Sequence, residues 1–147
     1  MPVGSAVKTV RDNLKTQLDA RSNLSGVAIF KYAPLDSNNK KEFIYFGDAN
    51  SSMDFLAFGS RYEEDIDLKV FVYVLRAGAG DSVASTTESR ALALANEVID
   101  QLSDDATING AVVVSRMRNM TVENTLSDEG RVCVIEMDIE AEAETSE

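Results

Sequence analysis

Between residues 61 and 80 apolar and polar side chains alternate for longer than an ordinary strand requires. Ile66, Leu68, Val70, Val72 and Val74 hold the even positions, with Glu63, Asp65, Asp67 and Lys69 between them, the period-2 signature of a strand with one face on a core. From Phe71 onward the second face changes, because Phe71, Tyr73 and Leu75 replace the charges, and this end is expected to be covered on both sides. Residues 63–77 at about 3.3 Å each would span roughly 50 Å, against about 5–6 residues for a usual strand. Such a strand is expected to overhang its own domain. An overhanging apolar edge is an aggregation hazard unless a bulge breaks it or a neighbouring subunit covers it, and the second option is the one carried forward.

The remaining pattern supplies the rest of the elements. Ser5 is positioned to cap a helix whose apolar residues Val7, Val10, Leu14 and Leu18 recur at three- and four-residue spacing, ending between Arg21 and Ser25. Two β-rich runs, residues 26–33 and 41–48, flank Pro34 and a polar DSNNK segment and are expected to form a hairpin. Before the long strand, Met53, Phe55, Leu56 and Phe58 punctuate a connection otherwise rich in Ser, Asp and Gly. Apolar loops of this kind cover a sheet end or insert into a neighbouring subunit. Ser85 and Glu88 have capping-box spacing ahead of a stripe of Ala91, Leu94, Ala95, Val98 and Leu102, and this second helix is expected to stop at Ser103-Asp104-Asp105. Residues 110–126 and 131–143 read as two closing strands around Asp128-Glu129-Gly130, with Cys133, Ile135, Met137 and Ile139 on one face and Glu136, Asp138 and Glu140 on the other. The order α-β-β-β-α-β-β predicts an α+β fold, a single mostly antiparallel sheet of about five strands with two helices packed on one face. Residues 1–141 form one domain and residues 142–147 an acidic, flexible C-terminal tail.

Composition narrows the chemistry. Fourteen basic residues against 25 acidic ones give a net charge of −11, which argues against nucleic-acid binding by counterion release. The acidic face of the last strand suits either a solvated sheet surface or the wall of a passage along which DNA slides without sticking. The chain has no histidine and one cysteine, Cys133, so Ser-His, Cys-His and His-containing zinc sites are excluded, and Cys133 reads as a small core residue. Glu63-Glu64 and Asp104-Asp105 are sequence neighbours whose side chains diverge, which disfavours a catalytic dyad. The GAGDS stretch at residues 78–82 lacks the Lys-Ser/Thr ending of a phosphate loop and reads as a strand-to-helix turn. No enzyme activity, cofactor or metal is expected. No leader-like segment follows Met1 and no run of 18 apolar residues occurs, so the expectation is a chain with no membrane partner that begins in a cytoplasm. Arg116 and Arg118, alternate residues of one strand, read as partners for carboxylates across a strand or subunit boundary, or as solvated charges.

Taken together, the N-terminal helix, the two β-rich runs, FLAFGSRYEEDIDLKVFVYVLRAGAG at residues 55–80, the ESRALALANEVIDQL helix and two closing strands give a chain that resembles the tail terminator proteins of long-tailed bacteriophages. These are also called tail-completion or tail-to-head joining proteins. The resemblance covers about residues 5–141, and its most recurrent local element is an apolar residue before Gly59 followed by Arg61 and Glu63 or Glu64 leading into an alternating strand. It implies a homo-oligomeric ring, hexameric in the family, that sits on the last tail-tube ring, stops tube growth and offers a docking surface to the head. Its partners would be further copies of itself, the tail tube protein and a head-completion or connector protein, with DNA passing through unbound. It places the protein in the virion, at the head-proximal end of the tail, after assembly in the host cytoplasm. The expected interface residues are Met53, Phe55, Phe58, Arg61, Phe71, Tyr73, Arg76, Arg116 and Arg118, and the expected channel-lining acids are Glu136, Asp138 and Glu140. A different neck or head-completion protein is the runner-up, and a small enzyme on a ferredoxin-like sheet comes third.

Overall fold

The computed structural model describes residues 5–35, 40–56 and 61–146. Helix α1 (Val7–Asp19) leads through a short 3-10 turn at Ser22–Leu24 into β1 (Ala28–Phe30). Three elements follow: β2 (Glu42–Leu56), β3 (Arg61–Arg76) and α2 (Asp81–Asp104). The chain closes with β4 (Val114–Ser127) and β5 (Gly130–Ser146). The five strands make one sheet in the order β1-β2-β3-β5-β4, antiparallel except for the parallel β1–β2 pair.

Alternation along β3 places Ile66, Leu68, Val70, Val72 and Val74 on the face that both helices cover, and each is at most 1% exposed. Neighbouring strands add Ile44 and Phe46 from β2 and Cys133, Ile135, Met137 and Ile139 from β5. Against them pack Val10, Leu14 and Leu18 of α1 and Ala91, Leu94, Ala95, Val98 and Leu102 of α2, the stripes that helical spacing requires. The fold is α+β with both helices on one face of the sheet.

Several local expectations change. β1 and β2 run parallel, with Ala28, Ile29 and Phe30 beside Phe43, Ile44 and Tyr45, so the first two β-rich runs are not a hairpin. Buried Arg11 of α1 donates to the carbonyls of Lys31 (3.0 Å) and Gly47 (2.7 Å) and lies over the Tyr32 ring, tying the chain leaving β1 to the middle of β2. Helix α2 starts at Asp81 with Gly80 as its N-cap, so Ser85 and Glu88 lie inside it and form no capping box. Residues 49–56 are strand rather than loop, paired with β3 from Leu68 to Arg61. Residues 142–146, expected as a tail, are the last stretch of β5 and pair with β3 from Asp65 to Arg61.

Alpha-1 begins at the level of Glu64. This side chain points to the helix face, is fully buried, and accepts hydrogen bonds from the Ala6 amide at 2.8 Å, the Ser5 hydroxyl at 2.6 Å and the Ser51 hydroxyl. A carboxylate at a helix N-terminus satisfies orphan amides and complements the helix dipole. The N-cap is Ala6 rather than the expected Ser5 and makes no side-chain cap bond; Ser5, one residue outside, accepts from the Val7 amide at 3.2 Å, while Glu64 takes the Ala6 amide. Replacing Glu64 by Ala leaves the buried Ala6 amide and the part-buried hydroxyls of Ser5 and Ser51 without their acceptor, and a destabilisation of about 1–3 kcal/mol is expected, read as a lower midpoint in urea unfolding with the slope unchanged. A midpoint equal to wild type would show that the buried carboxylate does not hold α1 to the sheet.

Candidate interaction surface

Beyond Glu64 the sheet continues without its helices. The end of β2, the start of β3 and the end of β5 form a three-stranded arm in which Phe55 pairs with Tyr62 and Tyr62 with Thr145. On the arm's helix-side face Met53 is 42% exposed and Phe55 60%, and the Phe55 ring meets the Tyr62 ring edge-on at 5.4 Å. Elsewhere along β3 that face is sealed, so these side chains are core-type residues placed where the core has ended.

The opposite face of the sheet divides into two halves. Near the α2 end it is aromatic: Phe43 stacks on Tyr73 at 4.6 Å, Tyr45 on Phe71 at 4.8 Å, and Phe30 meets Phe43 edge-on. Phe71 and Tyr73 are half-buried against these neighbours. Burial, and secondarily Glu136 for Tyr45 and Glu129 for Tyr73, raises both phenols above their ordinary value. Toward the arm the face is acidic, with Glu63, Asp65 and Asp67 on β3 and Glu140, Glu142 and Glu144 on β5, while Glu136 lies beside Phe71 in the aromatic half. Carboxylate oxygens of Glu63, Asp65 and Glu142 come within 4.8 Å of one another.

One row separates the halves. Lys69 and Asp138 are partners across β3 and β5. On one side of them β2 inserts Gly47 and Asp48 between the Phe46–Val70 and Ala49–Leu68 pairs. On the other, β4 inserts Arg118 between Met117 and Asn119. Both outer strands therefore bulge on the same row, and bulges add local twist and bend. The result is a depression of about 130 Å³ lined by Asp48, Asn50, Asp67, Lys69, Arg118 and Asp138. Lys69 lies 2.9 Å from Asp138 and 3.7 Å from Glu136, and the hydrogen bond to Asp138 is the main cause of its raised pKa. Arg116 pairs with Glu140 at 2.9 Å, while Arg118 stands 3.8 Å from Asp67 and 3.9 Å from Glu140. Exposed pairs of this kind contribute little to stability. They leave the acids of this half in excess.

No protein-family model matches the chain, and no curated protein sequence matches it. A solved structure does. A chain described as "Virion of native gene transfer agent (GTA) particle" shares the fold with a TM-score of 0.59 at 16% identity, over 96% of this chain and 99% of that one.

The surface collects most of the residues singled out from the sequence. Met53 and Phe55 lie on the arm, Phe71, Tyr73 and Glu136 in the aromatic half, Asp138 on the dividing row, and Arg116, Arg118 and Glu140 in the acidic half. Arg76 stands apart, at the α2 end, where it and Arg90 share Glu42 at 3.3 and 2.6 Å. Phe58 and the side chain of Arg61 lie outside the described residues. Sequence reasoning named Glu64 beside Glu63 but did not foresee its burial at the start of α1, and it did not find Arg11 or the paired bulges. The Glu-Glu-Asp run at residues 63–65 signals only charge, and a bulge shows itself only once the partner strand is known.

Cys133 lies in the core, and burial, then Glu88, pushes its thiol up to about 11. It should resist Ellman's reagent in the native state and react fully in denaturant; fast native labelling would contradict its placement. Gly47 is needed at its bulge because a Cβ there would stand 2.7 Å from the Phe71 ring. Gly47→Ala is expected to cost about 1–3 kcal/mol as the ring is displaced, with a changed near-ultraviolet circular dichroism from the broken Tyr45–Phe71 stack. An unchanged spectrum and midpoint would refute that packing.

Proposed function

We propose that this chain is a structural subunit of a phage-like particle. Its role is a ring at the head-proximal end of the tail, capping the tail tube, ending its polymerisation and presenting a docking surface to the head. The observation that carries this reading is the arm, a three-stranded extension of the sheet past its own helices with Met53 and Phe55 left exposed. A lone chain gains nothing from such an extension, whereas a neighbour covering it recovers the burial. Support comes from the fold shared with a gene transfer agent virion chain over nearly the whole of both chains.

Within this reading the arm, with Arg61 at its tip, meets a neighbouring copy, and Phe58, outside the described residues, belongs to the same contact. Phe71, Tyr73 and Arg76 at the opposite end, with Arg116 and Arg118 at the β4 edge, contact adjoining subunits or the tail tube and head-completion proteins. The acidic half-face with Glu140, together with Asp138 on the dividing row and Glu136 just across it, turns to the lumen. A wall with excess negative charge does not bind phosphate, so DNA passes without being held. Closing a heterologous interface by rotation limits the copy number, and this closure ends growth where an unclosed contact would continue it.

Native mass spectrometry at two protein concentrations, with electron microscopy of the chain mixed with tail-tube ends, tests the reading. A closed annulus of fixed copy number is expected, and Phe55→Asp should abolish it while leaving the circular dichroism of the monomer unchanged. Lysine substitutions at Glu136, Asp138 and Glu140 should leave the annulus intact and make it retain DNA. A chain that remains single even with tube ends present, or that turns over a substrate, would overturn it.

A further inference from the structure

Besides the short outer edge of β1, the sheet has two longer strand edges without a described strand beside them, and these two suit each other. Strand β1 covers β2 only from Phe43 to Tyr45, so the outer edge of residues 49–56 carries no described strand, and neither does the outer edge of β4. The pairings fix directions: β2 and β5 run toward the arm, β3 and β4 away from it. When two copies stand side by side about a rotation axis, β2 of one and β4 of the next are therefore antiparallel. Both edges also carry unsealed apolar side chains on the helix side. These are Met53 and Phe55 on β2 and, on β4, Leu126 at 53% exposed with half-buried Met120 and Val122.

We infer that the β2 arm of one copy pairs, antiparallel and staggered, with the lower half of β4 in the next copy, joining the sheets into one continuous wall. This rests on the ring reading above and names the contact that builds it. Ser52, Asp65, Glu142 and Val114 share one level of the sheet. A level match would offer the arm only Val114 to Met117 before the Arg118 bulge. A closed wall removes that restriction. Four strands at about 4.8 Å span roughly 19 Å, and barrel strands tilt by about 35–45°, so successive copies slide by roughly 13–19 Å, about four to six residues. Counted down β4 past the bulged Arg118, this slide brings Ser52 opposite residues 119–121 and Met53 beside Met120. The opposite slide would carry the arm past the start of β4, where it finds no strand. The bulges at Gly47-Asp48 and Arg118 then mark where pairing between copies begins.

Thiol cross-linking tests the contact. Ser52→Cys is combined with Thr121→Cys, and independently Asn50→Cys with Glu123→Cys, and each assembly is treated with a short bis-maleimide that tolerates a small slip in register. Buried Cys133 stays unmodified. The expected result is a denaturing-gel ladder rising to the full copy number for both double variants, with monomers only for every single variant. Ser52→Cys with Val114→Cys should likewise give monomers. Three results overturn the pairing while leaving the ring: a ladder from the Ser52–Val114 pair, dimers from Ser52→Cys alone, or an intact ring by native mass spectrometry without cross-links in either double variant. Wild-type chain that never assembles, with or without tube ends, overturns both.

Discussion

Strand β3 runs for 16 residues, but the helices packed on it reach only to the level of Glu64, and the rest of the molecule follows from that difference in length. Along the covered part every second side chain is buried and the burial is continuous with two amphipathic helices. Where the cover ends, a buried carboxylate takes up the amide and hydroxyl donors of the helix start and of β2. Past it the strands continue in register, held by ladder hydrogen bonds to β2 and β5 but without a core on the helix side. A sheet that keeps apolar residues after losing its helices leaves them exposed in a single chain. A second copy is the simplest partner, because the opposite edge of the same sheet offers exposed apolar side chains in the matching direction.

The helix-free face divides its chemistry along the row where two outer strands bulge together. Aromatic rings fill the half near α2 and stack in pairs, while carboxylates fill the half toward the arm with Lys69, Arg116 and Arg118 as the cations among the described side chains there. The two bulges flank a small depression on this face. An acidic wall and a projecting arm belong to one geometry if the strands tilt around a common axis.

Much of this was readable in the sequence, for specific reasons. The alternation from Ile66 to Val74 and the helical stripes at Leu14 and Leu94 state burial directly, because period and burial share a cause. The overhang of the long strand followed from counting residues. The direction of β1 did not, since Pro34 and a polar connection look the same whether the chain returns as a hairpin or crosses over, and Arg11, which ties the chain leaving β1 to β2, sits in a helix far away in sequence. Residues 49–56 were misread because Ser, Asp and Asn suggest a loop, yet β3 supplies a full antiparallel partner for them. The strand character of residues 142–146 was missed for the same reason: alternation of Glu with Ala is weak alone and becomes a strand when Asp65 and Glu63 lie alongside. Met53 and Phe55 were singled out because apolar side chains in polar surroundings are conspicuous, and the structure places both on the exposed arm. The bulges were not, since they depend on the registers of two separate strand pairs.

The central claim is that the arm past Glu64 is an assembly element, ordered by a neighbour rather than by its own core. Amide hydrogen exchange compared between the isolated chain and the assembled ring measures this directly. The account predicts that amides of residues 49–56 and 119–127 exchange quickly in the isolated chain and slow by orders of magnitude on assembly, while those of β3 from Val70 to Val74 are slow in both states. Arm amides that exchange at the same rate before and after assembly would contradict it.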